Sequence, residues 1–292
     1  ASSQDELPLV VLGGAAAGHK TTKSTIEAFA LQYPGRDVYV VSYPDSLAAN
    51  IPDSFPKKIK GQEGLDVYTR LLKKTIENLG FDKFDLIGIS MGGGVSIGAV
   101  KDEAFAKKIR NLMIISPTNI QETKSKSALM LQFGSELLHG AFHPREFLRV
   151  GQPQNDQELE SHKGTGFFSS VDIVRKKAFT PQDLAQLHVN GRILFLAGEK
   201  DRIISGRKTL REIEKANINR GEAGKEPIEH CLVLGAHHNL GDAYAAGIVR
   251  LIRQTDGSSL PSEYPVSQLE NSTAKVLVRE NLKLASVADQ IT

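Results

Sequence analysis

Residues 84–92 read Phe-Asp-Leu-Ile-Gly-Ile-Ser-Met-Gly, an apolar run that ends in the pattern Gly88-x-Ser90-x-Gly92. The run predicts a strand, and the Gly-rich segment after Ser90 predicts the start of a helix. A serine in such a tight turn adopts a strained backbone, and side chains two residues before and after it would collide. Glycine at positions 88 and 92 removes that collision. We therefore predict that the Ser90 hydroxyl is raised above the sheet on a sharp strand-to-helix turn.

The same pattern occurs a second time, as Gly94-Val95-Ser96-Ile97-Gly98. This copy falls inside the predicted helix, where a serine hydroxyl is expected to bond a backbone carbonyl one turn earlier. Gly94 and Gly98 are expected to let the helix approach the sheet. We interpret Ser96 as a structural residue and Ser90 as the candidate nucleophile.

Strand-like apolar runs alternate with helix-like periodic segments, a pattern typical of a parallel sheet covered by helices. The helical segments include 22–32 and 65–79, the second ending at Gly80. Near-continuous Leu and β-branched runs suit strands that are buried on both faces. We predict an α/β fold, with a mostly parallel sheet of about six strands and helices on both faces. The six runs are 9–12, 38–41, 84–89, 112–115, 193–196 and 231–234.

The alternation stops between Pro117 and about His188, where the chain becomes polar and contains scattered phenylalanines. An insertion this long is seldom a plain loop, so we predict a helical cap over residues 117–188; a packing subdomain with no role in binding is the alternative. The α/β core would then comprise residues 1–116 and 189–254. A Gly, Ser and Pro-rich linker introduces a C-terminal extension over residues 255–292.

Composition excludes some classes of protein. Lys and Arg total 36 against 34 Asp and Glu, and the charges are mixed along the chain, so nucleic-acid binding has no electrostatic support. No apolar stretch is long enough for a transmembrane helix. The single cysteine, Cys231, lies in an apolar run and is predicted to be buried. One cysteine suits a reducing compartment and also a disulfide-free exported protein; we favour the cytoplasm. The oligomeric state is left open.

A serine hydroxyl is a poor nucleophile until a base takes its proton, and the base is commonly a histidine held by a carboxylate. Asp201 follows the run 193–196, and both His237 and His238 follow the run 231–234. The order Ser, Asp, His along the chain agrees with an α/β arrangement of this kind. The amide of Met91, at the start of the helix after Ser90, could bind a developing oxyanion.

On these residues the chain resembles the α/β-hydrolase superfamily, with serine esterases and lipases as the nearest type. The resemblance covers residues 9 to about 254, outside the cap and the tail. It implies that Gly198-x-x-Asp201 is the acid motif, with Glu199 as the alternative acid. It aligns the turn from Gly235 with a Gly-x-Gly-His loop, which makes His238 the base and His237 the alternative base.

The resemblance also implies a second oxyanion donor after the first strand. By alignment this is the amide of Ala15, with Ala16 as a neighbour that could replace it. The usual His-Gly motif is absent, and Gly13-Gly14 stands there instead. An ordinary flexible turn over 13–18 is the alternative interpretation. The superfamily's first antiparallel strands are not evident before Leu9.

Two other site types fit poorly. Gly13-x4-Gly18-His19-Lys20-Thr21 resembles a P-loop, but His19 displaces the lysine from its place after the glycine. His139 and His143 have the spacing of zinc ligands, yet no catalytic glutamate or third ligand accompanies them.

The sequence thus predicts a serine hydrolase that cleaves a carboxylic ester of a small, hydrophobic molecule through an acyl-enzyme on Ser90, with no cofactor and no metal. A non-catalytic small-molecule-binding or signalling protein of the same fold is one alternative. A carbon–carbon bond hydrolase is another.

Overall fold

The computed structural model describes residues 7–14, 29–30, 36–41, 61–122, 124–142, 171–238, 247–248, 251 and 261–265. Within these ranges, seven strands form one sheet in the order β2-β1-β3-β4-β5-β6-β7, and every neighbouring pair is parallel. The fold class expected from the sequence is therefore confirmed. The strands are β1 Leu9–Leu12, β2 Val38–Val41, β3 Phe84–Ile89, β4 Ile109–Ile115, β5 Ile193–Gly198, β6 Glu229–Leu234 and β7 Glu263–Pro265.

The seventh strand was not expected. All six predicted runs are strands, but β7 lies within the segment assigned to the C-terminal extension and pairs Glu263 with Leu232 of β6. Its sequence, Glu-Tyr-Pro, carries no apolar run, and two of its three residues are exposed. A short edge strand is defined by its pairing partner rather than by a hydrophobic pattern, so sequence reasoning had no signal to detect.

The helices cover the sheet at positions close to those expected. The segment predicted over 65–79 is helical from Gly61, and it ends where Gly80 adopts a φ of 68°. Of the segment predicted over 22–32, only residues 29–30 are described, and both are helical. None of the described helices has the length and apolar character that crossing a membrane requires. The helices are α1 Gly61–Leu79, α2 Met91–Val100, α3 Glu103–Ala106, α4 Lys126–Phe142, α5 Pro181–Ala185 and α6 Gly206–Glu222.

The central strands β1, β3 and β5 are buried on both faces, which explains why they read as continuous apolar runs. Successive side chains of a strand point to opposite faces. In β1, Val10 and Leu12 belong to one buried cluster, while Leu9 and Val11 belong to the other. Cys231 is fully buried in β6, as expected, and burial raises the pKa of its thiol to about 12.

The described part of the predicted cap packs on this core. Val171, Ile173 and Phe179 join the first buried cluster, and Phe133 of α4 packs against it. Asn119 connects the loop after β4 to this segment, because its side-chain amide donates to the carbonyl of Ile173 at 2.7 Å. The remaining phenylalanines behind the cap hypothesis lie among residues whose side chains are not described. The division into core, cap and extension stays a prediction.

Strand order determines where a site can form. β1 is hydrogen-bonded to β2 on one side and to β3 on the other, so the connections leaving these strands diverge. In open α/β sheets, ligands bind at the carboxyl ends of the strands where the strand order reverses. The residues that follow β1 and β3, Gly13 and Ser90, lie at that position.

The opposite end of the sheet holds a buried charge cluster around Asp85, which is 1% exposed at the start of β3. Its carboxylate accepts hydrogen bonds from Arg36 at 2.8 Å and from Arg110 at 2.9 Å. The backbone and side-chain amides of Asn111 donate to it at 3.1 and 3.2 Å. The cluster joins the segment before β2 and the strand β4 to the centre of the sheet.

We predict that Asp85→Ala lowers the free energy of unfolding by about 3–5 kcal/mol, because it removes the buried carboxylate that accepts hydrogen bonds from Arg36 and Arg110. Denaturant unfolding followed by circular dichroism measures this. Glu77→Gln is the matched control: its ion pair with Lys74 is more than half exposed on both sides and is expected to contribute under about 1 kcal/mol. Equal stability of the two variants would contradict a structural role for the cluster.

Candidate active site

Ser90 occupies a strained turn between β3 and α2, with φ 54° and ψ −115°. A non-glycine residue with positive φ costs on the order of 1–3 kcal/mol and persists only where its surroundings hold it. A Cβ at Gly88 would lie 2.6 Å from the carbonyl oxygen of Gly92. A Cβ at Gly92 would lie 2.5 Å from the carbonyl oxygen of Leu12. The predicted sharp turn, and the need for glycine on both sides of it, are confirmed.

Backbone hydrogen bonds hold the turn in this conformation. The amide of Ser90 donates to the carbonyl of Ile115 at 2.8 Å. The carbonyl of Ser90 accepts from Gly93 at 3.0 Å and from Thr118 at 3.1 Å. Ser90 is thereby attached to its own helix, to β4 and to the loop after β4, which leaves its hydroxyl at the carboxyl edge of the sheet.

Asp201 lies just beyond β5, and its side chain is fully buried. One carboxylate oxygen, Oδ1, accepts hydrogen bonds from the amides of Ile203 at 2.9 Å and Ile204 at 2.7 Å. These two bonds fix the rotation of the carboxylate. The other oxygen, Oδ2, is directed at the loop that follows β6.

His238 lies on that loop and joins Asp201 to Ser90. Its Nδ1 is 2.8 Å from Oδ2 of Asp201, and its Nε2 is 2.9 Å from Oγ of Ser90. Because a carboxylate can only accept, the Nδ1 nitrogen carries the proton, and Nε2 is then free to accept the serine hydroxyl. The structure thus brings together the three side chains that the sequence singled out, in one hydrogen-bonded chain.

The two alternative residues have other surroundings. Nδ1 of His237 lies 3.5 Å from Oε1 of Glu136. Glu199 accepts a hydrogen bond from the amide of Gly235 at 3.1 Å and one from Arg207 at 2.9 Å. The Gly235 bond, followed by the Arg207 bond, lowers the pKa of the Glu199 carboxyl. Glu199 therefore holds the start of the loop that follows β6, which we call the histidine loop and whose described residues are 235–238. Asp201 contacts the ring of His238.

Glu136 is a residue of the site that sequence reasoning missed. It lies on α4, is 3% exposed and accepts a hydrogen bond from the backbone amide of His238 at 3.3 Å. In the sequence it stands in Ser135-Glu136-Leu137, within a segment of mixed polarity, and nothing there separates it from a surface glutamate. Only the packing of α4 against the histidine loop identifies it.

The proposed oxyanion donors are partly described. Met91 is buried at the first position of α2, where helix amides have no carbonyl acceptor within the helix. The loop after β1 passes directly over Ser90, since a Cβ at Gly14 would lie 3.3 Å from that of Ser90. Ala15 lies outside the described residues, as do the P-loop-like residues 18–21.

The structure corrects the account of the second Gly-x-Ser-x-Gly copy. Ser96 is fully buried, but within the described chain its hydroxyl has no hydrogen-bond partner, because it is directed at Gly88 instead of a helix carbonyl. A Cβ at Gly94 would meet the side chain of Asn119, and one at Gly98 would meet Thr69 of α1. These glycines therefore admit a loop and a neighbouring helix, not the sheet.

Metal binding finds no support in the described part of the chain. No group of three or more His, Cys, Asp or Glu residues is placed there to hold an ion. Of the two histidines with zinc-like spacing, His143 and the side chain of His139 lie outside what the structure describes.

Comparison with known proteins shows the same architecture. No family model and no curated protein matches the sequence. Solved structures do match: a carboxylesterase from Bacillus subtilis is 15% identical with a TM-score of 0.54, over 88% of this chain and 86% of the other. An α/β-hydrolase enzyme from a deep-sea metagenome library is 12% identical with a TM-score of 0.54, over 89% and 93% of the two chains. A bromoperoxidase from Bacillus anthracis is 15% identical with a TM-score of 0.53, over 85% and 90%.

At such identities the matches show the fold and do not select a reaction. Proteins named as a carboxylesterase and as a bromoperoxidase share this one architecture. The chemistry of this chain must therefore be argued from its own side chains at the carboxyl edge of the sheet.

We predict that Gly92→Ala lowers the free energy of unfolding by at least about 1–3 kcal/mol, because the new methyl group collides with the backbone after β1. Gly221→Ala is the matched control: its Cβ meets nothing within 4 Å in α6, and a helical alanine is expected to add about 0.5–1 kcal/mol. Urea unfolding of both variants measures this. A Gly92→Ala protein as stable as wild type would contradict the close approach.

Proposed function

We propose that this chain, which has the α/β-hydrolase fold, is a serine hydrolase that cleaves carboxylic esters through an acyl-enzyme on Ser90. The observation that carries the proposal is the hydrogen-bonded chain from Ser90 Oγ through His238 to Asp201, with its two distances of 2.9 and 2.8 Å. This geometry meets the requirement that a nucleophile, its base and the group orienting the base lie within hydrogen-bond reach. We refer to the three residues below as the catalytic triad.

In the first half-reaction, Oγ of Ser90 attacks the ester carbonyl carbon while Nε2 of His238 takes the hydroxyl proton. Asp201 holds the imidazole in the required tautomer and stabilises the imidazolium. The carbonyl oxygen becomes an oxyanion, which would accept hydrogen bonds from the amides of Met91 and Ala15. The tetrahedral intermediate collapses, the carbon–oxygen bond to the alcohol breaks, and His238 gives its proton to the leaving alkoxide.

In the second half-reaction, a water molecule attacks the acyl-enzyme. His238 takes a proton from that water as the new carbon–oxygen bond forms, and the same oxyanion donors stabilise the second tetrahedral intermediate. Collapse breaks the bond between the acyl carbon and Oγ, and the proton returns to Ser90. The products are the carboxylic acid and the alcohol, and each step uses only the protein's own groups and water.

Burial of the three side chains strengthens the charge interactions that this chemistry requires. Ser90 is 6% exposed, and Asp201 and His238 are each 8% exposed. Because these residues are largely closed to bulk solvent, the charge interactions between imidazolium, carboxylate and oxyanion are screened less than at a surface. We infer a small, hydrophobic ester as substrate, since such a molecule can enter a buried site without a large desolvation cost.

We predict that Ser90→Ala lowers kcat for p-nitrophenyl esters by about 10⁴-fold or more, because no hydroxyl is left to form the acyl-enzyme. Hydrolysis across a series of acyl chain lengths measures this and also sizes the pocket. Ser96→Ala, the matched change in the second copy of the motif, is expected to keep near wild-type turnover. Ester turnover that survives Ser90→Ala would exclude Ser90 as the nucleophile.

The two adjacent histidines allow a second test. His238→Ala is expected to lower kcat about 10⁴-fold, since the proton acceptor for Ser90 is gone. His237→Ala is expected to stay within about tenfold of wild type, because the ring nitrogen 2.9 Å from Oγ of Ser90 belongs to His238. Steady-state kinetics on the preferred ester compare them. Equal losses in both variants would remove the basis for assigning the base to His238.

A further inference from the structure

Glu136 is a buried carboxylate at the site to which the triad assigns no task. It lies on α4 and contacts the histidine loop at His237 and His238. We propose that Glu136 is a positioning residue: it holds the main chain of His238 through the backbone amide of that residue, and thereby sets the direction of the His238 imidazole toward Ser90. This proposal rests on the proposed function of the triad.

The first argument is the free-energy cost of burying the Glu136 side chain. Its side chain is 4% exposed, and in the described part of the chain Oε2 has no hydrogen-bond partner. Burying a carboxylate with an unsatisfied oxygen is unfavourable, and an apolar residue of similar volume is often neutral or stabilising at such a position. Stability alone therefore does not explain a carboxylate here. Its contacts, with the amide of His238 at 3.3 Å and with His237 at 3.5 Å, indicate what it does.

The second argument is the geometry of the histidine loop. Gly235 begins the loop with a φ of 80°, and the amide of that residue is held by Glu199. The ring of His238 is held by Asp201. The bond from Glu136 fixes the main chain at the same residue, so that both the backbone and the ring of His238 are held. A displacement of about 1 Å at a reacting group can cost about 10²-fold in rate.

The third argument is that α4 also contacts the loop that carries Asp201. The guanidinium of Arg202 donates to the hydroxyl of Ser135 at 3.0 Å. The ammonium of Lys124, just before α4, donates to the carbonyl of Ile203 at 2.5 Å and to the side chain of Gln132 at 3.0 Å. One helical segment is thus attached both to the loop that carries Asp201 and to the histidine loop, and it holds the two loops at a fixed separation.

The test compares Glu136→Gln with Glu136→Met. Both keep the approximate volume of the side chain, but only glutamine retains an oxygen that can accept from the amide of His238. We expect Glu136→Gln to hydrolyse p-nitrophenyl esters within about threefold of the wild-type kcat. We expect Glu136→Met to lose about 10- to 100-fold in kcat with KM within about threefold, because the misplaced base affects the chemical step and not substrate binding. Glu122→Gln, an exposed glutamate before α4, is the control.

Two results would overturn the proposal: a wild-type kcat in Glu136→Met, or equal losses in the glutamine and methionine variants. A second measurement needs no substrate. The Nδ1 proton of His238 should give a far-downfield proton resonance in wild type and in Glu136→Gln, and the resonance should be lost to solvent exchange in Glu136→Met. If it persists unchanged in the methionine variant, Glu136 does not position the base. An inactive wild type that still follows this pattern would refute the ester hydrolase and leave the positioning role intact.

Discussion

The site depends on how closely the backbone of the β3–α2 turn approaches the end of β1. With no side chain at position 92, the start of α2 packs against the carbonyls of Leu12 and Gly13, and the amide of Gly92 donates to Gly13 at 3.2 Å. This contact forces Ser90 into its strained conformation and directs its hydroxyl away from the sheet. A methyl group at position 92 would push the helix away, and Ser90 would no longer lie at the crevice between β1 and β3.

The proposed catalytic triad is then completed by two loops that follow neighbouring strands, β5 and β6. Parallel strands deliver their carboxyl ends to one edge of the sheet, so residues distant in sequence meet there without long connections. The loop that carries Asp201 is held by its own backbone amides, and the histidine loop is held by Glu199 at Gly235 and by Glu136 at His238. Acceptor side chains thus fix the positions of backbone groups, and those groups fix the positions of the candidate site residues.

A separate cluster of charges stabilises the opposite edge. Asp85 gathers Arg36, Arg110 and Asn111 at the start of β3, far along the same strand from Ser90. β3 therefore carries a buried carboxylate at its first residues, where it ties strands together, and the strained serine just past its last residue. The strand is held at one end by the ionic hydrogen bonds of Asp85 and at the other by the close backbone packing at Gly92. These contacts fix the position of the turn relative to the sheet.

Local sequence pattern determined six of the seven described strands, the α1 helix and the sharp turn, because continuous apolar runs, helical spacing and the glycines at 88 and 92 each act within a few residues. The chain order Ser90, Asp201, His238 was also readable, although the choice between His237 and His238 rested on a resemblance. Three features needed the tertiary structure. β7 exists because the edge of β6 is available to pair with it, Ser96 faces Gly88 instead of its own helix, and Glu136 is buried only because α4 packs on the histidine loop. Contacts between segments far apart in sequence decide these features, and no local pattern records them.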